Sequence, residues 1–144
     1  MGSSLKPLLL VDDRSKYTRI ITSFFSKIGY TVDCAVSARE GILMLGQKGP
    51  DHYRVVVTDI TMEHQLAGFS VILFLLKRRF SGTVVMASTG FDVFLGMFFS
   101  KLFMGILGVH YLVPKTTILK GDFDFYPPRL GSRPQKEFIE IGAG

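Results

Sequence analysis

Two short apolar runs, each ending in carboxylates, constrain this chain more than any other feature. Leu8-Leu9-Leu10-Val11 runs into Asp12 and Asp13, and Arg54-Val55-Val56-Val57-Thr58 runs into Asp59. Runs that are apolar at every position, and not at alternate ones, belong to strands buried on both faces, as in parallel sheets covered by helices. Between them the spacing changes. From Ser15 onward Tyr17, Ile20, Ile21, Phe24, Phe25 and Ile28 recur at helical intervals, with Gly29 where a C-terminal cap belongs. Thr31 to Val36 reads as a second strand. Ser37 opens a second helix with Ile42, Leu43 and Leu45 on one face, ended by Gly46, Gly49 and Pro50. Gly68 to Phe80 reads as a third helix, closed by Lys77, Arg78 and Arg79, where cations favour the helix dipole and form a solvated end. Thr83 to Ala87 is a fourth strand, Phe91 to Leu107 a long fourth helix and Val109 to Val113 a fifth strand. The alternation predicts an α/β fold, a doubly wound five-stranded parallel sheet whose ligands bind at the strand carboxyl ends.

After Lys115 the rhythm fails, because Gly121, Pro127, Pro128, Gly131 and Pro134 forbid one long helix. The expected division is a domain over 1–120 and an irregular C-terminal tail over 121–144 with no output domain, the final helix being irregular or missing. A short helix is expected from Gln135 to Ile141, capped by Ser132. Asp122 to Tyr126 alternates acids with aromatics and suits packing across the sheet face that a regular helix would cover.

The chain has 144 residues, 47% apolar and 20% charged, which suffices for one core and excludes a disordered chain. Its net charge of +5 is too small and scattered to argue for nucleic acid as a partner. Mean hydropathy is high at +0.31, yet no membrane span is expected. Leu66 to Leu76 is too short, and Phe91 to Val109 is broken by Asp92, Ser100 and Lys101. The single cysteine, Cys34, is expected in the core of a chain kept reduced, and with no export signal the expected location is cytoplasmic.

Asp12, Asp13 and Asp59 all fall at strand carboxyl ends. Three acids that converge repel one another unless a divalent cation sits among them, and oxygen ligands suit Mg²⁺. The structural alternative is that Asp12 and Asp13 cap the first helix and Asp59 caps a loop. Ser88 adds a hydroxyl on the same rim. His52, His64 and His110 lack metal-ligand spacing.

These residues carry a resemblance. "LLLVDDRS", "VVVTDITM", "VVMASTG" and "VHYLVPK" stand in the order and nearly at the spacing of the receiver domain of two-component response regulators, of the chemotaxis-regulator kind, over roughly residues 5–120. The resemblance implies a flavodoxin-like receiver fold with Asp59 as phosphoacceptor. It further implies Mg²⁺ held by Asp12, Asp13, Asp59 and the backbone carbonyl of Thr61, with Ser88 as switch hydroxyl and Tyr111 as switch aromatic. A phosphorylated signalling switch is then expected, with a histidine kinase or phosphotransfer protein as phosphodonor. It is not expected to be an enzyme beyond slow self-phosphorylation from small donors and autodephosphorylation.

The chain departs from the family at three places. The family's order of lysine before proline is reversed in Val113-Pro114-Lys115. Strand side chains alternate faces, so the shift turns the ammonium of Lys115 away from the site unless Pro114 introduces a bend or a cis bond. Glu63 replaces the usual proline after the phosphoacceptor, and the segment following Ser88 is longer than usual. These departures support an alternative, a degenerate receiver serving as a phosphorylation-independent interaction or dimerisation module. A phosphatase with an aspartyl nucleophile would want an acid two residues after Asp59, where Thr61 stands. The helix over Phe91–Leu107 is apolar on nearly all sides, with Phe94, Met97, Phe98 and Phe103 prominent. The C-terminal tail covers it, or it meets an output protein or a second copy of the chain.

Overall fold

The computed structural model describes residues 5–60, 67–88, 108–127 and 133–141. Five strands, β1 (Lys6–Val11), β2 (Tyr30–Ala35), β3 (Val55–Asp59), β4 (Thr83–Ser88) and β5 (Tyr111–Pro114), form one sheet in the order β2-β1-β3-β4-β5. Every pairing is parallel. Helices α1 (Ser15–Lys27), α2 (Ala38–Lys48) and α3 (Gly68–Lys77) connect the first four strands, as the alternating pattern requires.

Side-chain alternation splits the apolar runs between two cores, which is why they are apolar at every position. Leu9, Val11, Val56, Met86 and Leu112 pack with Leu45 of α2 and Val71, Ile72 and Leu75 of α3. Leu8, Leu10, Val57, Val85 and Val113 pack on the other face with Tyr17, Ile21 and Phe25 of α1. Gly41 lets α2 sit directly on the end of β1, since a Cβ there would lie 2.7 Å from a methyl of Val11. Ser37 caps α2 by accepting from the Glu40 amide at 3.1 Å. The third helix stops at Lys77, earlier than its apolar pattern suggests, because Arg79 takes a left-handed φ of 54°. The amides of Phe80 and Arg79 then bond back to the carbonyls of Leu75 and Leu76.

The C-terminal segment replaces a final helix with an extended strap. After one helical turn, Lys115–Ile118, Phe123 and Phe125 enter the core beside α1, as the alternation of acids and aromatics suggests. Tyr126 pairs antiparallel with Leu112, and Gln135 with Phe125. The helix expected over Gln135 to Ile141 is absent. Pro134 brings no amide, and the backbone groups of this stretch are taken by Phe125, Tyr111 and Thr83 instead of by each other. The strap passes beneath the amino ends of the strands. There Glu140 accepts from Tyr30 at 2.5 Å and from Arg54 at 3.1 Å, and Thr83 exchanges two bonds with Ile141.

Cys34, expected in the core, is exposed. It lies on β2, the sheet edge, where one face is only thinly covered. The segment 91–107, with Phe94, Met97, Phe98 and Phe103, lies outside the described residues, as do Thr61, Glu63, His64 and Ser132. No helix among the described residues is long and apolar enough to cross a membrane.

Candidate functional site

Register alone gathers one rim. Val11 pairs with Thr58, Asp59 with Ala87, and Ser88 with Pro114, so the ends of β1, β3, β4 and β5 come level. Asp12 and Asp59 are both 2% exposed, while Asp13 is open to solvent. The three carboxylates offer oxygens within 4.8 Å of one another. One oxygen of Asp12 accepts from the Arg14 amide at 2.9 Å, which fixes its orientation at the entrance to α1.

The Lys115 ammonium lies among these acids, 2.8 Å from Asp12 Oδ2 and 3.1 Å from Asp59 Oδ2, with its side chain 1% exposed. The sequence left open whether the lysine behind Pro114 can reach the site. It does so without a cis bond, none being present among the described residues. Pro114 keeps an extended φ and ψ of −73° and 127°, and Lys115 is already the first residue of a helical turn. The period of two ends at Pro114, so the offset of one residue no longer decides the direction of the side chain.

Ser88 Oγ is fully buried and has no hydrogen-bond partner among the described residues. A buried hydroxyl without a partner is costly unless something else supplies one. Behind Asp59 the chain returns tightly: the Gly68 amide donates to the Ile60 carbonyl at 2.8 Å. A Cβ at Gly68 would fall 1.8 Å from the Asp59 carbonyl oxygen, so only glycine fits.

Tyr111 is not brought to this rim. It pairs with Val85, three steps before the Ser88 pair. Its side chain lies in the α1 core, with its hydroxyl donating to the Ile139 carbonyl at 2.8 Å. Burial raises the pKa of this phenol. His110 sits beside β4 and accepts the Val84 amide on Nδ1 at 3.0 Å, while burial lowers its pKa, so it is held neutral as a structural acceptor. His52 packs edge-on against Tyr53.

One participant went unread in the sequence. Tyr17, counted only as part of the apolar stripe of α1, places its ring 4.0 Å from the Lys115 ammonium. Nothing in its spacing distinguishes a ring under a cation from a ring under a leucine.

The sheet order and the acidic rim together define a flavodoxin-like α/β fold, and the chain has the fold of response regulator receiver domains. No protein-family model matches the sequence, and neither does any curated protein. Solved structures do match it. A chain of the CheX-CheY-BeF3-Mg complex from Borrelia burgdorferi is similar at 22% identity with a TM-score of 0.64, over 76% of this chain and 78% of that one. The Francisella response regulator 1452 receiver domain is similar at 22% identity and a TM-score of 0.63, over 81% and 88%. A CheY-like receiver domain protein from Methanospirillum hungatei is similar at 19% identity and a TM-score of 0.65, over 82% and 87%.

Proposed function

We propose that the chain is a response regulator receiver that carries a phosphoryl group on Asp59 and signals through protein contacts. The observation that carries this reading is the Lys115 ammonium, buried against Asp59 at 3.1 Å although the sequence order displaces it by one residue. A chain retaining only the fold has no need to bury a cation there, since an apolar replacement of a buried ion pair is often no less stable.

The donor set fits a divalent cation. All three groups are hard oxygen ligands, and one ammonium among three carboxylates leaves two negative charges to neutralise. Asp12, Asp13 and Asp59 would hold Mg²⁺, with the Thr61 carbonyl as the resemblance implies, and the ion would supply neutralisation of phosphoryl oxygens. The BeF3 and magnesium of the Borrelia complex belong to that assembly and agree with this assignment.

The side chains do the rest. An oxygen of Asp59 attacks phosphorus in line, forming the acyl phosphate as the bond to the donor's leaving group breaks. The leaving group is imidazole from a phosphohistidine, or acetate from acetyl phosphate. Lys115 exchanges its contact with the Asp59 carboxylate for a phosphoryl oxygen, and Ser88 Oγ donates to another, ending its lack of a partner. Water later cleaves the acyl phosphate and regenerates the carboxylate. The phosphodonor is a histidine kinase or phosphotransfer protein in the cytoplasm.

One observation favours a second reading, a phosphorylation-independent interaction module: Tyr111, the switch aromatic by resemblance, is buried and tied to Ile139. Incubation with acetyl phosphate and Mg²⁺, followed by intact-mass measurement, separates the two. A single added phosphoryl group that disappears in Asp59→Asn is expected. An unmodified wild type would leave the interaction module as the better account.

A further inference from the structure

A buried ammonium must satisfy three N–H donors without water. Lys115 is 1% exposed and has two carboxylate partners, Asp12 and Asp59. Its third neighbour is the face of Tyr17, whose ring centroid lies 4.0 Å from Nζ. Aromatic faces carry negative electrostatic potential and attract cations within about 6 Å, most strongly where water is excluded. Tyr17 itself is 5% exposed and lies in the first turn of α1, in the stripe with Ile21 and Phe25 that anchors this helix to the sheet. The ring is therefore held by the core, and it stands beside the two acids as the third neighbour of the ammonium.

We propose that Tyr17 is a positioning residue: its ring fixes the Lys115 ammonium between Asp12 and Asp59 and so offsets the displacement of the lysine behind Pro114. The chain approaches from a helical turn and not from a strand, so the strand geometry that would aim a lysine is absent, and a fixed surface beneath the cation takes its place. Asp12 and Asp59 cannot do this by themselves, because a pair of carboxylates leaves the ammonium free to swing about the line joining them. The consequence for function rests on the proposed phosphorylation of Asp59, whereas the placement of the ammonium does not.

The test uses the full chain with lysines labelled with ¹³C and ¹⁵N, as wild type, Tyr17→Phe and Tyr17→Leu, the Lys115 signal being identified by its loss in Lys115→Arg. A methylene and ammonium above a ring are shifted upfield by the ring current. That shift is expected in the wild type and Tyr17→Phe and should be lost in Tyr17→Leu. Phosphorylation of Asp59 by acetyl phosphate with Mg²⁺ should slow by roughly tenfold in Tyr17→Leu, and by less than about twofold in Tyr17→Phe, which keeps the ring face. Tyr17→Met stands in if the leucine variant does not fold. A wild-type Lys115 signal without the upfield shift overturns the proposal, as does a leucine variant that reacts at the wild-type rate. So does a phenylalanine variant as slow as the leucine one, because the shared defect would then follow the lost hydroxyl and not the ring face. If the wild type accepts no phosphoryl group, the switch reading fails and the spectroscopic comparison alone decides the placement.

Discussion

The Tyr111 hydroxyl donates to the backbone carbonyl of Ile139 at 2.8 Å, fastening the start of β5 to the C-terminal strap. Around this bond Phe125 stands against Phe25, Tyr111 and Phe138, with ring centroids 5.3 to 6.3 Å apart in tilted and edge-on arrangements. The strap thus performs the task of a last amphipathic helix, covering the sheet beside α1 with aromatic rings in place of helical turns.

Phe125 is fully buried, so Phe125→Ala should lower the unfolding free energy by about 3–5 kcal/mol, the range for deleting a core phenylalanine. Phe138 is only half-buried, and Phe138→Ala should cost less. Urea unfolding measures both. A loss below about 1 kcal/mol for Phe125→Ala would show that the strap is not part of the cooperative core.

Mg²⁺ binding should depend on Asp13, the one acid of the three open to solvent and not engaged by Lys115. Asp13→Ala should abolish the heat of Mg²⁺ binding in a calorimetric titration while leaving the melting temperature without metal nearly unchanged, as exposed substitutions usually do. Equal binding by the variant would count against the assigned ligands.

Lys115→Met should destabilise the protein without metal by about 3–5 kcal/mol, because Asp12 and Asp59 would then face each other buried and without their counter-charge. Added Mg²⁺ should restore more stability to this variant than to the wild type. Thermal melts with and without the ion give the comparison, and indistinguishable melting temperatures would contradict the placement of the ammonium.

Glu140 should make the fold sensitive to acid. Burial alone would raise its pKa, but the hydrogen bond from Tyr30, together with the charges and hydrogen bonds of Arg54 and Lys6, outweighs it and holds the carboxyl below its ordinary value of 4.5. The unfolded chain therefore takes up this proton first. The contribution is complete above about pH 4.5 and is lost as the pH falls through the lowered folded value. Glu140→Gln should be less stable than the wild type at pH 7, with the gap narrowing as the pH falls below about 4.5. A gap independent of pH would place the effect in packing.

Much of the site was legible because it is local. The runs ending in Asp12, Asp13 and Asp59, and the strand ending in Ser88, need only a period of two and a change to helical spacing to be read. A parallel sheet then brings their ends to one rim. Cys34 is exposed against expectation because a strand's own pattern does not tell whether it lies at the centre or the edge of the sheet. The strap was only half legible: Asp122 to Tyr126 showed its alternation, but Gln135 to Ile141 has a composition equally suited to a short helix.

By itself the sequence determined the order of elements, the two-faced burial of the strands and the gathering of acids at their carboxyl ends, all consequences of backbone periodicity acting over a few residues. Tertiary structure alone decided that Lys115 reaches Asp12 across 103 positions of chain, that Tyr17 lies beneath it, and that Tyr111 turns to the strap and away from the rim. Such contacts depend on where a strand stops and which distant backbone groups compete for its neighbours. That competition is settled by packing the whole chain at once and leaves no periodic trace in any one segment.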